Sequence, residues 1–238
     1  MSKKGGKQLL PFITNANLWR AVKYVLDIAK DSNEVAQDGL YKNVIDPFSA
    51  VFDSFYQGIS LGGWLKQEKS RQTQKTLQNA LGEFHQKILG SISGWEDLNK
   101  GGVIDICNKN KKLIAEVKNK FNTTKGNHKV VIYDDLKGQL RSNYEGFTAY
   151  YVEVIPKGRA VYNKPFTPPD NRTHKRRPTN NKIRVIDGKS FYAMATADDD
   201  ALEKLYKALP VVVSDILGVN PGKIEADPLF LELFKKAF

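Results

Sequence analysis

The sequence predicts an α/β protein in which helices flank a central mixed sheet, and three features of its pattern support this fold class. Apolar residues recur at helical spacing through the first 100 residues. The period then shortens to two over short segments that are rich in β-branched and aromatic residues. Helical spacing returns after residue 200. With 238 residues, the chain is long enough for one large domain that contains all three parts.

Three helices are predicted in the first 100 residues. The apolar stripe of the first helix consists of Leu18, Val22, Val25 and Ala29. Asn15 or Asn17 is its expected N-cap. A second apolar segment runs over residues 40–59 and is broken at Asp46-Pro47, where proline can open a new helix. A Gly-Gly pair then separates it from a long polar helix that starts near Trp64.

The remaining elements are predicted from the change of period and from turn residues. Segments 103–107 and 113–118 form an antiparallel hairpin that turns at residues 108–111. Beyond it, the pattern predicts a loop over 119–128, a helix over 130–140, a strand over 146–155 and a hairpin over 183–196 that turns at Asp187-Gly188. A last helix is predicted over 201–216, with a kink at Pro210.

Charge is the first feature of the chain that indicates a partner. Thirty-seven Lys and Arg against 26 Asp and Glu give a net charge of +11. Residues 157–184 contain nine basic residues and a single acidic one, Asp170, so this segment alone carries +8. Such a surplus favours a polyanionic partner, nucleic acid before membrane. The plainer alternative is a solvated basic loop.

Several classes of protein are disfavoured by composition. No run of 18 apolar residues predicts a transmembrane helix, and no apolar segment follows the basic start as in a secretion signal. The single cysteine, Cys107, allows neither an internal disulfide nor a cysteine-based zinc site. Three scattered histidines do not form a zinc site either. We therefore expect a cytoplasmic protein.

The strongest local signal for chemistry is Asp105 followed by Glu116 and Lys118. Glu116 and Lys118 are two residues apart in a predicted strand, so their side chains leave the same face, and the hairpin brings Asp105 toward them. Two carboxylates can hold a magnesium ion, and the lysine can position the attacking water. A surface salt bridge is the alternative for this motif. A charged residue inside an apolar strand favours the catalytic interpretation, because burial without a partner is costly.

Four further residues have an interpretation, and two of them, Glu83 and Lys120, have two. Glu83 lies at the edge of the apolar stripe of the long helix and is either a metal-site carboxylate or a solvated glutamate. His85 is interpreted as a hydrogen-bonded core histidine, and Cys107 as a small packing residue. Lys120 continues the face of Lys118 and either contacts phosphate or is simply exposed.

The motif Asp105…Glu116-Val117-Lys118 resembles the core of the PD-(D/E)XK nucleases, with Ile104 in place of the proline. Longer stretches resemble type II restriction endonucleases of the AvaII/SinI-like group, which recognise GGNCC or GGWCC. The resemblance spans roughly residues 10 to 215 and is carried by residues 40–48, 71–79, 82–90, 114–120 and 166–171.

This resemblance implies a magnesium-dependent, homodimeric endonuclease that cuts both strands of a short palindrome in double-stranded DNA, with a companion DNA methyltransferase that protects host sites. It implies a PD-(D/E)XK core within a single domain, residues 1–238. We expect residues 1–100 to be mostly helical, 101–155 to form the catalytic core, 156–196 the basic recognition excursion, and 197–238 a C-terminal helix and tail.

DNA contacts are expected mainly from the basic excursion. Arginine can bind guanine through two hydrogen bonds, whereas most lysines contact phosphate. The candidate DNA-binding residues are Lys120, Asn171, Arg172, Lys175, Arg176, Arg177, Lys182 and Arg184. Arg176 and Arg177 are the leading candidates for base reading, because Pro178 can stiffen the loop beside them.

Two alternative functions share the same features. A repair or junction-resolving nuclease of the same superfamily would use the same three residues but would recognise DNA structure. A non-catalytic DNA-binding module would keep the fold and lose cleavage, although all three catalytic residue types are present here.

Overall fold

The structure is a computed structural model that describes residues 7–38, 45–98, 102–124 and 126–238. Residues 1–6, and residues 40–44 of the second apolar segment, lie outside the described residues. The chain divides into two compact units: residues 23–81 form one, and residues 1–22 with 82–238 form the other. That residues 1–238 work as one nuclease domain remains a prediction.

The N-terminal part is helical, as predicted, and its caps follow from local hydrogen bonds. The helices are α1 (Asn15–Asp38), α2 (Pro47–Gln57) and α3 (Leu61–Gly90). Asp46 caps α2 by accepting hydrogen bonds from the backbone N–H of Phe48 and Ser49. The predicted cap of α1 was wrong. Thr14 accepts from the Asn17 N–H, so Asn15 and Asn17 both lie inside the helix.

A mixed sheet of six strands forms the centre of the described part of the unit that contains residues 82–238. Its order is β1 (Glu96–Asp97), β2 (Ile106–Asn108), β3 (Leu113–Lys120), β4 (Thr148–Ile155), β8 (Ile183–Asp187) and β5 (Asn163–Pro165). The β3–β4 and β4–β8 pairs are parallel, and the other pairs are antiparallel. A separate two-stranded ribbon consists of β6 (Pro169–Asp170) and β7 (Lys175–Arg176).

Helices cover both faces of this sheet, which confirms the α/β class. Helix α4 (Gly126–Ser142) packs Tyr133 and Leu136 into the core cluster that contains Tyr151. Tyr150 points to the opposite face, where its ring meets Phe191 of α5. The C-terminal helices are α5 (Gly188–Thr196), α6 (Ala201–Leu217), α7 (Gly222–Glu225) and α8 (Leu229–Ala237). In the described residues, no helix has the length and apolar character needed to cross a membrane.

The predicted hairpin is present, but its first strand is shorter than expected. Strand β2 begins at Ile106, so Asp105 lies just before it. The physical reason is that the Asp105 side chain takes the place of a backbone carbonyl as acceptor: the Val117 N–H donates to Asp105 Oδ2 at 2.7 Å. The second strand, β3, extends to Lys120, so the predicted loop over 119–128 was too long at both ends, since α4 starts at Gly126.

The second predicted hairpin, over residues 183–196, was wrong. Strand β8 ends at Asp187 and helix α5 begins at Gly188. Asp187 caps the helix, accepting the Ser190 N–H at 2.9 Å and the Ser190 hydroxyl at 2.6 Å. An Asp-Gly pair therefore marks a helix start here instead of a two-residue turn. The last helix was predicted correctly, and Pro210 lies inside α6.

Gly188 is required by close packing against β4. A Cβ atom built on Gly188 would lie 2.3 Å from the Val154 carbonyl oxygen, far inside van der Waals contact. We predict that Gly188→Ala lowers the free energy of unfolding by about 1–3 kcal/mol. Gly82→Ala is the matched control: a Cβ there meets nothing within 4 Å and lies inside α3, so it should stabilise by about 0.5–1 kcal/mol. Urea unfolding of both variants measures these changes in the free energy of unfolding, which should have opposite signs. A Gly188→Ala variant as stable as the wild type would contradict the packing argument.

Candidate active site

Asp105, Glu116 and Lys118 come together on one face of the β2–β3 hairpin. Asp105 is held by its own backbone, since its N–H donates to the Ala115 carbonyl at 3.0 Å and its carbonyl accepts from Leu98 at 2.9 Å. Its side chain is aimed by the bond from the Val117 N–H. Lys118 Nζ lies 2.5 Å from Glu116 Oε1. The pairing predicted from the two-residue spacing therefore exists, with the predicted partners.

Burial dominates the electrostatics of the two carboxyl groups, and the charge of Asp105 adds to its effect at Glu116. Glu116 is buried, with 9% of the residue exposed. Burial, and next the negative charge of Asp105, raise the pKa of Glu116 to about 7, although Lys118 opposes the shift. Burial likewise raises the pKa of Asp105, against the hydrogen bond from Val117 and the charge of Lys118. A cation placed between the two carboxylates would relieve this repulsion.

The donor set fits a hard divalent cation. Magnesium in proteins is commonly bound through one or two carboxylates and completes its shell with water. Asp105 and Glu116 supply two carboxylates, and one oxygen of Asp105 is already committed to Val117. No group of three or more His, Cys, Asp or Glu side chains suited to a metal occurs in the described residues. Asp105 and Glu116 are the residues that could hold such a cation here.

The C-terminal end of α3, at Gln86, contacts the residues around this hairpin. Gln86 Nε2 donates to Asp97 Oδ1 at 2.8 Å and lies 3.4 Å from the Asp105 carbonyl. Sequence reasoning missed Gln86, since polar residues on a helix carry no signal of their own. Glu83 precedes Gln86 by three residues, so the two share a face of α3, and Glu83 is partly buried. A metal-site role for Glu83 remains a prediction.

A second buried ionic cluster lies beside the first and was also missed. Strand pairing places Glu153 of β4 directly opposite Lys118 of β3. Glu153 is buried, forms a salt bridge with Lys129 Nζ at 2.5 Å and accepts the Tyr162 hydroxyl at 2.5 Å. The signal was available: Glu153 interrupts the apolar run of its strand, which is the pattern that singled out Asp105.

The basic excursion is anchored to the core by one of its own arginines. Arg177 donates to both carboxylate oxygens of Asp134 on α4, at 3.0 and 2.7 Å, and to Asp170 at 2.9 Å. This arrangement supports a structural role for Arg177, because reading a base would require it to leave two carboxylates. Its predicted role in DNA binding stays untested.

The other candidate DNA-binding residues differ in their surroundings. Arg176 is exposed and donates to the Thr167 carbonyl at 2.7 Å. Arg184 is partly buried and held by Asn163, through the side-chain oxygen and the carbonyl, both at 2.6 Å. Lys120 ends β3 on the face of Lys118 and is partly buried. Exposed side chains in the same excursion are those of Asn171, Arg172, Lys175 and Lys182.

His85 and Cys107 have the structural surroundings that their patterns predicted. His85 Nδ1 lies 2.8 Å from the Tyr192 hydroxyl, and its ring makes edge contacts with Phe84 and Tyr192. Burial lowers the pKa of His85 to about 4. Cys107 is fully buried in the core cluster beside Ile114.

Comparison with known proteins identifies relatives over nearly the whole chain. A family model described as Eco47II restriction endonuclease matches residues 10–218. The type II restriction enzyme Eco47II of Escherichia coli is 39% identical over 238 residues, covering 97% of this chain and 99% of the relative. The type II restriction enzyme Sau96I of Staphylococcus aureus is 30% identical over 233 residues, covering 96% of this chain and 89% of the relative. No solved structure matches the chain significantly.

The lowered pKa of His85 predicts a pH-dependent stability. The unfolded chain takes up a proton at His85 near pH 6.5 and the folded chain only near pH 4, so stability is full above pH 6.5 and is lost as the pH falls toward 4. We predict that His85→Gln reduces the fall in Tm between pH 7.5 and pH 5. The corresponding difference in the free energy of unfolding is on the order of 1–3 kcal/mol. His128→Gln, at an exposed histidine, is the control and should keep the wild-type slope. An unchanged slope in His85→Gln would contradict the assignment.

Proposed function

We propose a catalytic mechanism and a recognition mode on the premise that this chain belongs to the Eco47II restriction endonuclease family. Its relatives are named type II restriction enzymes, and the chain is accordingly a site-specific deoxyribonuclease. The expected class of enzyme is thus confirmed, and Eco47II and Sau96I are the relatives found. The family favours restriction over the junction-resolving and non-catalytic alternatives.

The hydrolysis site that we propose consists of Asp105, Glu116 and Lys118, in a core of the PD-(D/E)XK type. The observation that carries this proposal is the buried carboxylate pair beside Lys118. Asp105 and Glu116 would hold Mg²⁺, which when bound supplies a Lewis acid and lowers the pKa of a bound water. Lys118, held at 2.5 Å from Glu116, orients the attacking water, and its positive charge favours release of that water's proton to the solvent. Glu83 is a further candidate carboxylate.

DNA recognition is assigned to the basic excursion. We infer a short GGNCC-like palindrome in double-stranded DNA from the resemblance of this chain, over roughly residues 10 to 215, to enzymes that recognise such sites. Arg172 and Arg176 are exposed and available for guanine, while Lys175 and Lys182 suit phosphate. Arg184, Asn171 and Lys120 complete the proposed DNA-binding set, with Arg177 as its anchor.

The remaining parts of the proposal follow from the chemistry of restriction. A two-fold palindrome is matched most simply by a homodimer. A host that contains this nuclease needs a companion methyltransferase, with no direct contact to it, and the cytoplasm is the expected location. Sequencing the ends of fragments from a genomic digest tests the recognition proposal, because it yields site and stagger together. Fragment ends without a common sequence would refute the GGNCC-like site.

We predict that each of the three site residues is required for cleavage. Asp105→Ala, Glu116→Ala and Lys118→Ala should each reduce plasmid cleavage by at least about a hundredfold, because each removes a group that binds the metal or handles the proton. Loss of either carboxylate should also weaken Mg²⁺ binding, measured by calorimetry, whereas Lys118→Ala should mainly slow the chemical step.

The hairpin itself offers a matched control for these variants. Glu96 and Lys109 also form a carboxylate–lysine pair at 2.9 Å, but both side chains are more than half exposed. Glu96→Ala and Lys109→Ala should leave cleavage near the wild-type rate, since exposed pairs contribute little. Near-normal cleavage by any of the three site variants would remove that residue from the mechanism.

The fourth prediction separates phosphate contacts from base reading in the excursion. Lys175→Ala should weaken binding to cognate and scrambled duplexes alike and reduce the salt slope by about one. Arg176→Ala should lose about 1–3 kcal/mol on the cognate duplex and much less on the scrambled one. Fluorescence anisotropy over a salt series, with Ca²⁺ replacing Mg²⁺, measures both effects. Equal losses on both duplexes for both variants would make the segment an electrostatic clamp only.

A further inference from the structure

Helix α2 presents its apolar face outward. Phe48, Phe52, Phe55 and Tyr56 are 75%, 75%, 85% and 92% exposed, and Val51 between them is 49% exposed. Their spacing, at intervals of three and four residues, places them on one stripe of the helix. The opposite face is made of small and polar residues: Ala50 and Ser54 are the buried ones, and Asp53 accepts the Trp64 indole N–H at 3.2 Å. A helix that packs its small face inward and exposes four aromatic rings is built for a partner.

The size of this aromatic stripe (Phe48, Val51, Phe52, Phe55 and Tyr56) is sufficient for a protein interface. Four aromatic side chains at these exposures present on the order of 500–800 Å² of surface. A stable interface buries about 800 Å² per partner. An open apolar hollow lined by Val51, Phe55, Ile59 and Leu61 lies alongside the stripe and can receive a ring from the other side.

The charge around the aromatic stripe excludes a polyanionic surface as its partner. The chain carries +11 overall, yet residues 45–65 contain no Lys or Arg and two acidic residues, Asp46 and Asp53. DNA and anionic membranes are both bound through basic side chains, which this stretch lacks. The partner is therefore a protein with an apolar surface of its own.

We propose that this partner is a second copy of the chain, packed two-fold through α2. The described residues contain one carboxylate–lysine site of the kind assigned to hydrolysis, whereas cutting both strands of a duplex requires two. A two-fold pair supplies the second site, and in an isologous contact the same aromatic stripe faces itself. The need for a second copy rests on the proposed function, whereas the exposed aromatic stripe is observed in the structure itself.

The test is the mass of the protein in solution, without DNA, by sedimentation velocity over a concentration series. The wild-type chain should sediment at twice 26.8 kDa. The double variant Phe52→Glu/Phe55→Glu should sediment as a monomer, with the dissociation constant raised by roughly a hundredfold or more. Because both side chains are exposed in the single chain, the far-ultraviolet circular dichroism spectrum of the variant should match that of the wild type.

Two further samples keep the result specific. Leu229 and Leu233 of α8 are 53% and 59% exposed, so Leu229→Ser/Leu233→Ser removes apolar surface elsewhere and should remain a dimer. Phe52→Lys/Phe55→Lys should be monomeric alone, and a mixture with the glutamate variant should restore the dimer, because opposite charges then face each other.

Cleavage measured on the same samples separates the two proposals. The glutamate variant should lose at least about tenfold of its plasmid linearisation, and the α8 variant should retain it. A wild-type chain that sediments as a monomer at every concentration, or a glutamate variant that stays dimeric, overturns the inference even if cleavage is intact. A dimeric wild type that cuts no DNA would count against the proposed function and leave the interface standing.

Discussion

One hydrogen bond determines the geometry of the site: the Val117 N–H donates to the Asp105 side chain instead of to a backbone carbonyl. Because that ladder partner is replaced, β2 starts only at Ile106, and the Asp105 carboxylate is turned toward the face that carries Glu116. Burial raises the pKa of both carboxyl groups, and the negative charge of Asp105 raises that of Glu116 further. Lys118 offsets this effect at Glu116 only in part, so a further cation at this position would still be stabilised by the two carboxylates. The sheet and α4 around it serve to hold this unfavourable charge distribution in place.

Much of this site was predictable, because a strand's period of two is a strict geometric rule. Glu116 and Lys118 share a face in any regular strand, and a hairpin with a turn after Asn108 returns the chain past Asp105. The helices around the sheet were equally accessible from their apolar spacing, as α3 and α6 illustrate. The ends of the strands were harder to predict. Strand β2 is shortened by a side chain acting as a backbone partner, and no periodicity reveals that exchange.

What escaped prediction depends on contacts between distant segments. Asp187-Gly188 has the composition of a hairpin turn, but Gly188 lies against Val154 of another strand and Asp187 also accepts the Tyr162 N–H at 2.8 Å. The position of Glu153 in an apolar strand was visible in the sequence, but its partners, Lys129 and Tyr162, come from a helix and a loop that only the fold brings together. Helix α2 was predicted correctly as an element, while its outward aromatic face could not be, because the sequence pattern of a buried face is the same.

The anchoring of the basic excursion has a kinetic meaning. Through Arg177, the ribbon of β6 and β7 is tied to Asp134 of the helix that packs on the sheet. A segment already held in one conformation loses little conformational entropy when a ligand arrives. Encounter with a polyanion is then fast and driven by long-range attraction, as for other strongly charged surfaces. Under the proposed recognition mode, selection among sequences falls to the lifetime of each encounter, and wrong sites are rejected by rapid departure while the ribbon keeps its shape.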